Sequence, residues 1–357
     1  TVNEINYLSK KFSNVYHIAP LTNQFNKSMI AYNNEKIQLI KIKKGGGNTI
    51  ADKIKLILLI PSYIKIILNN LSKVDIVHVR CPANISLIAI IILFFTKKPK
   101  LRWIKYAGNW NPHKWLSFTS MFQKHFLNYN LTKSLVTING SWDKQPLHVK
   151  TFLNPSFRYD IMKDYKKRNE EKNIRHTVKL IFSGRIEPNK GIENIISILE
   201  KVDNKGINFE FTFVGGGDIN FYKKMLSKIN IKSKISFIGW VKQREVFDFF
   251  SKSHIIIFPS KSEGWPKVLS EAMMCGVVPL ASKVGAIPQV LNSNKSGFSF
   301  DIDDIDSYAN KIEEFVNNPL LWKTYSIAGM NSAKQFTYES YVSNIDYHFN
   351  DKWGIKL

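Results

Sequence analysis

The chain has 357 residues, of which 44% are hydrophobic and 22% are charged, which excludes an intrinsically disordered protein and a single small module. Its two cysteines, Cys81 and Cys275, exclude a disulfide framework, and no cysteine–histidine cluster has zinc spacing, so a reducing compartment is expected. The formal net charge of +23 at pH 7 favours an anionic partner, with a merely solvated basic surface as the alternative.

The basic excess lies almost entirely in the first half of the chain. Residues 1–175 carry 29 basic and 9 acidic side chains, whereas the remainder carries 22 and 19. Such a distribution suits a membrane surface or a nucleic acid. We expect one surface cluster to be formed by Lys97, Lys98, Lys100 and Arg102.

Short β-branched runs alternate with helical patterns in the first half, which predicts a parallel sheet covered by helices. The apolar run 85–95 would be about 16 Å long as a helix, too short for roughly 30 Å of hydrocarbon, so no membrane span is expected. The amphipathic stretch 54–68 is expected to cover the sheet, with interfacial contact as an alternative. No export signal is evident, and the chain starts without Met, which suggests a missing leading piece. The predicted strands are 15–21, 37–43, 75–82, 101–108 and 134–140.

A second α/β series follows the charge-dense segment 164–176, which is predicted to be a linker. The strands predicted there are 178–184, 208–216, 235–241, 254–260 and 277–282. The chain is thus predicted to contain two Rossmann-like domains, 1–163 and 177–337, with a terminal segment, 338–357, whose helix returns to the first domain.

The loop after the first strand of this second series carries two cations. Gly184 ends the strand, and Arg185 and Lys190 precede a helix. Cations beside a helix N-terminus at the carboxyl end of a parallel strand favour a phosphate or a diphosphate. A solvated pair is the alternative.

Two further loops of the second series have features that suit a ligand. Gly215 begins a run of three glycines that allows close approach to the backbone, although an ordinary tight turn would use the same residues. Glu263 and Glu271 lie eight residues apart, at most about 12 Å along a helix, which suits a sugar and a ribose on either side of a diphosphate. Helix capping by Glu263 and a surface position for Glu271 are the alternatives.

The segment 301–306, Asp-Ile-Asp-Asp-Ile-Asp, has the spacing of a divalent-metal site. It also precedes a helical pattern, where acidic residues cap the first turn. Capping is the interpretation we prefer, and no metal is expected.

Segments 182–195, 211–218, 235–241 and 263–291 together resemble glycosyltransferase family 4. The resemblance covers about 175–335 and implies the GT-B fold, in which two Rossmann-like doubly wound domains face each other across a cleft. It also implies retaining transfer from a nucleotide-diphosphate sugar, with UDP or GDP as the nucleotide and no other cofactor. The sequence departs from the family pattern at Gln289, where an acidic residue is common, and at Ala107-Gly108, where His-Gly is familiar.

The resemblance assigns roles to individual residues. Arg185 and Lys190 would bind the diphosphate, and Glu263 the transferred sugar, so that these three are the catalytic candidates. Glu271 would bind the ribose, and Trp240 and Val241 the nucleobase. The remaining donor-side residues are Gly184 and Gly215, together with the backbone segment Gly264, Trp265, Pro266, Lys267 and Val268, whose amides would bind the sugar and the phosphates.

The acceptor side is predicted from position alone. Asn109, Trp110 and His113 follow the carboxyl end of a predicted strand, with plain packing as the alternative for Trp110. The expected function is glycosyl transfer to a membrane-associated glycan or lipid-linked acceptor in bacterial surface polysaccharide synthesis. We expect a cytoplasmic protein, peripheral on the inner face of the membrane.

Three alternatives remain. They are a glycosyltransferase with a soluble acceptor, a GT-B sugar-nucleotide epimerase or phosphorylase, and a basic nucleic-acid-binding protein. The last is disfavoured because no helix-turn-helix, RNA-recognition or zinc pattern is present.

Overall fold

Strands and helices alternate through both halves of the computed structural model, which describes residues 2–21, 30–47, 49–111 and 117–357. The chain divides into two units. The first comprises Thr1–Phe152 and Val342–Leu357, and the second comprises Leu153–Tyr341.

The first unit contains two parallel sheets, one of strands β1 and β2 and one in the order β3-β4-β5-β6. All five strands predicted here are confirmed, and the three-residue β6 was too short to give a periodic pattern. The elements are α1 (Val2–Leu8), β1 (Val15–Pro20), β2 (Ile37–Ile42), α2 (Ile50–Leu71), β3 (Ile76–Cys81), α3 (Asn84–Phe95), β4 (Leu101–Tyr106), α4 (Phe118–Asn128), β5 (Leu135–Ile138) and β6 (Val149–Thr151).

Helix α2 begins at a capping box, in which Thr49 and Asp52 bind each other's backbone amides. Its inner face places Tyr63, Ile67 and Leu71 in the core of the unit. The Tyr63 hydroxyl also donates to the Lys43 carbonyl at 2.6 Å, which ties the helix to the end of β2.

The expectation that no segment could span a membrane is wrong for α2. Over 22 residues this helix is long and apolar enough to cross a bilayer by length and composition, with a mean hydropathy of 1.5 in its most apolar window. Lysines interrupt the apolar sequence of α2, so no long unbroken apolar run marks this helix. The run 85–95 does form the short helix α3, with Ile88, Ile90 and Leu93 buried as predicted.

Arg102 does not belong to the surface cluster in which the sequence placed it. Its guanidinium is buried and donates to the carbonyls of Leu93, Thr96, Pro99 and Thr132 at 2.6–3.0 Å. Arg102 therefore ties the end of α3 to the segment before β5. The three lysines of the cluster are exposed as expected.

The second unit has one six-stranded parallel sheet in the order β9-β8-β7-β10-β11-β12. Its five predicted strands are confirmed, and only β12 was missed. The elements are α5 (Tyr159–Asn169), β7 (Val178–Ser183), α6 (Ile192–Asn204), β8 (Phe209–Val214), α7 (Ile219–Leu226), β9 (Lys234–Gly239), α8 (Gln243–Ser251), β10 (Ile255–Phe258), α9 (Lys267–Met274), β11 (Val278–Ser282), α10 (Ile287–Ser293), β12 (Phe298–Phe300), α11 (Ile305–Asn317), α12 (Pro319–Ser332) and α13 (Tyr338–Trp353).

The predicted linker 164–176 is wrong in its first half, because residues up to Asn169 belong to helix α5. Met162 and Tyr165 of this helix are buried in the core of the second unit. Beyond the helix, the Lys172 ammonium donates to the carbonyls of Phe250, Ser253 and Cys275 at 2.5–3.0 Å. The many charged residues of this segment obscure the helical pattern of its few buried residues. The boundary between the units lies earlier in the chain, after Phe152.

The last helix, α13, passes from the second unit into the first at Val342. Within the first unit, the Phe349 ring lies edge-on to Trp103 with centroids 5.8 Å apart. The Lys352 ammonium donates to the Ser134 carbonyl at 2.9 Å.

The acidic segment 301–306 caps a helix, as predicted. The Asp304 carboxylate accepts a hydrogen bond from the Ser307 amide at 3.1 Å at the start of α11. Asp306 pairs with Lys201 at 2.7 Å instead of turning toward its acidic neighbours.

Candidate functional site

The strand order of the second unit reverses direction between β7 and β10, the two neighbouring strands from which the chain proceeds to opposite edges. In open parallel sheets ligands bind at the carboxyl end of such a switch point. The loop after β7 carries Arg185 and Lys190, and the loop after β10 carries Glu263. Topology therefore brings together the residues that the sequence singled out.

Lys190 and Glu263 form an ion pair across this switch point. The Lys190 Nζ lies 2.5 Å from Glu263 Oε1, and the two side chains are only 24% and 15% exposed. The Ser260 hydroxyl donates to the same Glu263 oxygen at 2.8 Å. Glu263 is thus held by contacts between loops and does not cap α9, whose start has no side-chain cap.

Ser260 is the last residue of the predicted strand 254–260, and no motif in the sequence gives it a role. The side chain is fully buried, and its backbone carbonyl accepts a hydrogen bond from Ser282 Oγ at 2.5 Å. Ser260 therefore connects the Glu263 carboxylate to the end of β11.

Arg185 is the exposed cation of the site. Its side chain is 80% exposed and lies 3.4 Å from Glu187 in a long, solvent-screened pair. Because so little holds it, Arg185 can reorient toward a ligand at small energetic cost.

The glycine loop lies directly beside the Arg185 loop. Ile186 donates from its backbone amide to the Gly216 carbonyl at 2.9 Å. A Cβ at Gly215, where φ is +140°, would lie 1.8 Å from the Gly184 carbonyl oxygen. Only glycine permits this approach, so the run of glycines is required by loop packing whether or not a ligand binds there.

Trp240 lies next to the glycine loop. The Gly215 amide donates at 2.8 Å to the carbonyl of Gly239, the residue before Trp240. The Trp240 ring is 42% exposed. An exposed indole at this edge can stack on a planar ligand. Val241 packs partly into the core and supports the loop.

The start of α9 presents backbone groups instead of side chains. Pro266 is its N-cap, and the first-turn amides of any helix lack intrahelical partners and attract anions. For Trp265 the resemblance implies a donor contact through the backbone and none through the side chain. It is 3% exposed and stacks on Phe336 at 5.1 Å, so it belongs to the core.

Glu271 lies in the second turn of α9 with a partner that the sequence did not reveal. Gln243 Nε2 donates to its Oε1 at 2.6 Å and also to the Ser156 carbonyl at 3.3 Å. Burial raises the pKa of Glu271 to about 7, against the smaller opposing effect of the Gln243 hydrogen bond. The carboxyl group is thus poised to titrate near neutral pH.

Residues 164–335 match the family model described as glycosyl transferases group 1. An uncharacterised glycosyltransferase of Methanocaldococcus jannaschii is 29% identical over 167 residues, which cover 46% of this chain and 46% of that protein. This match covers 172 of the 357 residues, and the matched segment 164–335 is here called the glycosyltransferase domain after the family model that it resembles. The chain spans less than half the length of three curated relatives that it matches, with shares of 46%, 33% and 40%.

Solved structures resemble the chain beyond this domain. Sucrose-phosphate synthase from Thermosynechococcus elongatus superposes with a TM-score of 0.71 at 14% identity, covering 99% of this chain and 92% of that one. Anabaena HepE in complex with UDP gives 0.65 at 14% identity, covering 88% and 86%. The predicted GT-B fold, with its two Rossmann-like domains, is confirmed, whereas the cleft between them stays a prediction.

The acceptor-side candidates lie outside the glycosyltransferase domain. Trp110 is 4% exposed and packs edge-on against Tyr106 at 5.3 Å, so its ring is a core residue. Asn109 is half-buried and accepts a hydrogen bond from the Asn111 amide at 3.0 Å in a local turn. His113 lies outside the described residues.

Among the residues that the structure describes, no group of three or more His, Cys, Asp or Glu side chains could hold a metal ion. Metal independence of the glycosyltransferase domain stays a prediction.

Proposed function

We propose that the protein is a retaining, metal-independent glycosyltransferase that uses a nucleotide-diphosphate sugar as donor. One observation carries the proposal: Lys190 and Glu263 meet at the topological switch point of the glycosyltransferase domain, beside the uncapped start of α9. A cation, a carboxylate and free helix amides at one strand edge match a sugar joined to a diphosphate.

In this proposal the bound donor replaces the ion pair between Lys190 and Glu263. The diphosphate becomes the partner of Lys190, with Arg185 turning in from solvent. Glu263, still held by Ser260 at 2.8 Å, then accepts hydrogen bonds from hydroxyls of the sugar. The ion pair of the free protein keeps both side chains near their working positions.

The chemistry follows from the charges at the site. The bond between the anomeric carbon and the phosphate oxygen breaks through an oxocarbenium-like transition state, and an acceptor oxygen bonds to that carbon. The acceptor's proton passes to the departing phosphate. Lys190, Arg185 and the α9 amides stabilise the negative charge that grows on the diphosphate.

UDP and GDP are the nucleotides we propose. Trp240 would stack on the base, and Glu271 would accept hydrogen bonds from the ribose hydroxyls. The likeness to HepE, solved with UDP, supports UDP as the first choice.

For the acceptor we propose a glycan or lipid-linked molecule at the cytoplasmic face of the membrane, in bacterial surface polysaccharide synthesis. Support comes from the charge distribution, with a basic excess of 20 in residues 1–175 against 3 in the remainder. Positive charge attracts a protein to anionic lipids. The protein would then be peripheral to the membrane.

A nucleotide-sugar panel tests the proposal. We expect UDP- or GDP-sugars to raise the melting temperature of the wild-type protein and to do so far less for Lys190→Ala. Glu200→Ala, an exposed substitution on α6, is the matched control. Transfer with retained anomeric configuration, read by NMR, completes the test, whereas turnover of the donor without any acceptor to an epimerised sugar would contradict it.

A further inference from the structure

Helix α2 has one buried and one exposed apolar face. The inner face belongs to the core through Tyr63, Ile67 and Leu71. The outer face carries six large aliphatic side chains that are 36–77% exposed. They are Ile50, Ile54, Ile57, Leu58, Ile64 and Leu68, here called the outer stripe.

The outer stripe follows one side of the helix. The intervals between its members are four, three, one, six and four residues, and at 3.6 residues per turn all six lie within about 120° of the helix circumference. From Ile50 to Leu68 the stripe is about 27 Å long at 1.5 Å per residue. A soluble surface rarely exposes so extended an apolar patch without a partner.

Helix α3 packs beside α2 and ends in more exposed apolar residues. Ile91, Phe94 and Phe95 are 36%, 46% and 77% exposed. Helix α2 leads into β3 and α3 leads into β4, and these two strands are parallel neighbours, so the C-terminal ends of both helices lie at the same edge of that sheet. The aromatic end of α3 therefore lies on the side of α2 where the outer stripe ends.

The charges around these residues are positive. Lys53, Lys55 and Lys65 are exposed on α2, and the exposed lysines 97, 98 and 100 follow α3 directly. The one acidic residue within α2, Asp52, is bound to Thr49 in the capping box. Apolar side chains bordered by exposed lysines match the chemistry of an anionic bilayer surface, with acyl chains beneath phosphate headgroups.

We propose that the outer stripe is a membrane-docking surface, on which α2 lies in the plane of an anionic bilayer. Its aliphatic side chains enter the headgroup–acyl boundary and its lysines contact the headgroups. The helix lies on the bilayer and does not cross it, because its inner face is part of the core. This inference rests on the proposed membrane-bound acceptor and adds an apolar, salt-resistant component to the electrostatic attraction.

The first test is vesicle flotation of the full chain carrying Ile57→Ser and Leu58→Ser. We expect this double variant to bind phosphatidylglycerol vesicles about tenfold or more weakly than the wild type. Leu320→Ser, which changes a 78% exposed residue of the second unit, is the control and should bind like the wild type. In 1 M salt, where the Debye length is about 3 Å, the wild type should retain part of its binding and the double variant none.

The second test reports the depth of the helix. Both native cysteines are buried, so an environment-sensitive thiol dye will label a cysteine introduced by Ile57→Cys. Its emission should shift to the blue with phosphatidylglycerol vesicles, and that of a dye at Leu320→Cys should not. Equal vesicle binding by the wild type and the double variant, or an unchanged spectrum at position 57, would overturn the proposal.

A second copy of the chain is the competing occupant of the outer stripe. A wild-type dimer that the double serine variant converts to a monomer, with no vesicle binding by either, would assign the stripe to self-association and overturn the proposal. Donor binding is measured separately, by thermal shift without vesicles. A wild-type protein that binds the donor but not the vesicles would contradict the docking surface alone, whereas one that binds the vesicles but not the donor would contradict the proposed function alone.

Discussion

The two units place their polar and apolar groups in opposite ways. In the second unit, β7, β10 and β11 are almost wholly buried and apolar, and the reactive groups lie in loops at the strand ends. In the first unit, ion pairs lie inside, such as that of Lys105 and Glu4 at 3.1 Å, while the aliphatic outer stripe faces outward. The difference fits the two proposals, which are a small ligand at the strand ends of the second unit and an extended bilayer surface against α2 of the first.

Cationic side chains that donate to several buried carbonyls occur in both units and give the largest expected effect. Arg102→Met removes a donor from four carbonyls in the first unit, and Lys172→Met from three in the second. Each should lower the free energy of unfolding by about 2–4 kcal/mol, because buried carbonyls lose charged partners. Chemical denaturation measures the loss.

Hydrogen exchange sharpens the contrast between the units. Faster exchange should be confined to strands β3–β5 for Arg102→Met and to β7, β10 and β11 for Lys172→Met. If either variant accelerated exchange equally in both units, the two would share one cooperative core and the comparison would fail.

Glu263→Ala tests whether the chemistry is confined to the loops of the second unit. We expect turnover to fall about 10- to 100-fold, since a lost hydrogen bond to a charged group is worth about 1.5–3 kcal/mol. Nucleoside diphosphate binding should stay within about threefold, because it depends on Lys190 and Arg185. Steady-state kinetics and calorimetry give the two quantities, with Glu200→Ala as control, and wild-type turnover would exclude the role of Glu263.

Glu271 should make donor affinity depend on pH. Burial raises its pKa to about 7 in the free protein, and the ribose hydroxyls would favour the carboxylate form. Binding then releases a proton, so affinity should rise by up to about tenfold per pH unit below pH 7 and level off above it. Calorimetry in buffers of different ionisation enthalpy measures the proton, and Glu271→Gln should remove the dependence.

Without donor, the Glu271 carboxyl group should make the free energy of unfolding fall as pH rises, whereas donor affinity rises. The folded-state pKa lies above the ordinary value of 4.5, so the folded protein binds more protons between these two values. Its free energy of unfolding should therefore fall as pH rises from 4.5 to about 7. A pH series of denaturation curves that shows no difference between the wild type and Glu271→Gln would contradict the assignment.

Chelation should have the smallest effect. Lys190 and Arg185 supply positive charge at the proposed diphosphate site, and Asp304 and Asp306 are engaged in a helix cap and an ion pair. Transfer rates in EDTA should match those without it. If EDTA abolished transfer and manganese or magnesium restored it, the proposed metal independence would be wrong.

The sequence by itself determined the strands, the order of the loops and the spacing of Glu263 and Glu271, because these depend on local periodicity and on the turn residues that end each strand. It also predicted the helix cap at Asp304. Partnerships between distant residues were decided only by the fold. The Lys190–Glu263 pair and the Gln243–Glu271 hydrogen bond join residues that are 73 and 28 positions apart in sequence.

The same limit applies to which side chains are covered. The sequence alone does not show that Arg102, Trp110 and Trp265 are covered, yet neighbouring elements bury all three side chains. The outer stripe of α2 looks like core in sequence, but the structure leaves it exposed because the sheet needs only one face of that helix. Periodicity shows that a face is apolar, and only the tertiary structure decides which apolar face finds a partner.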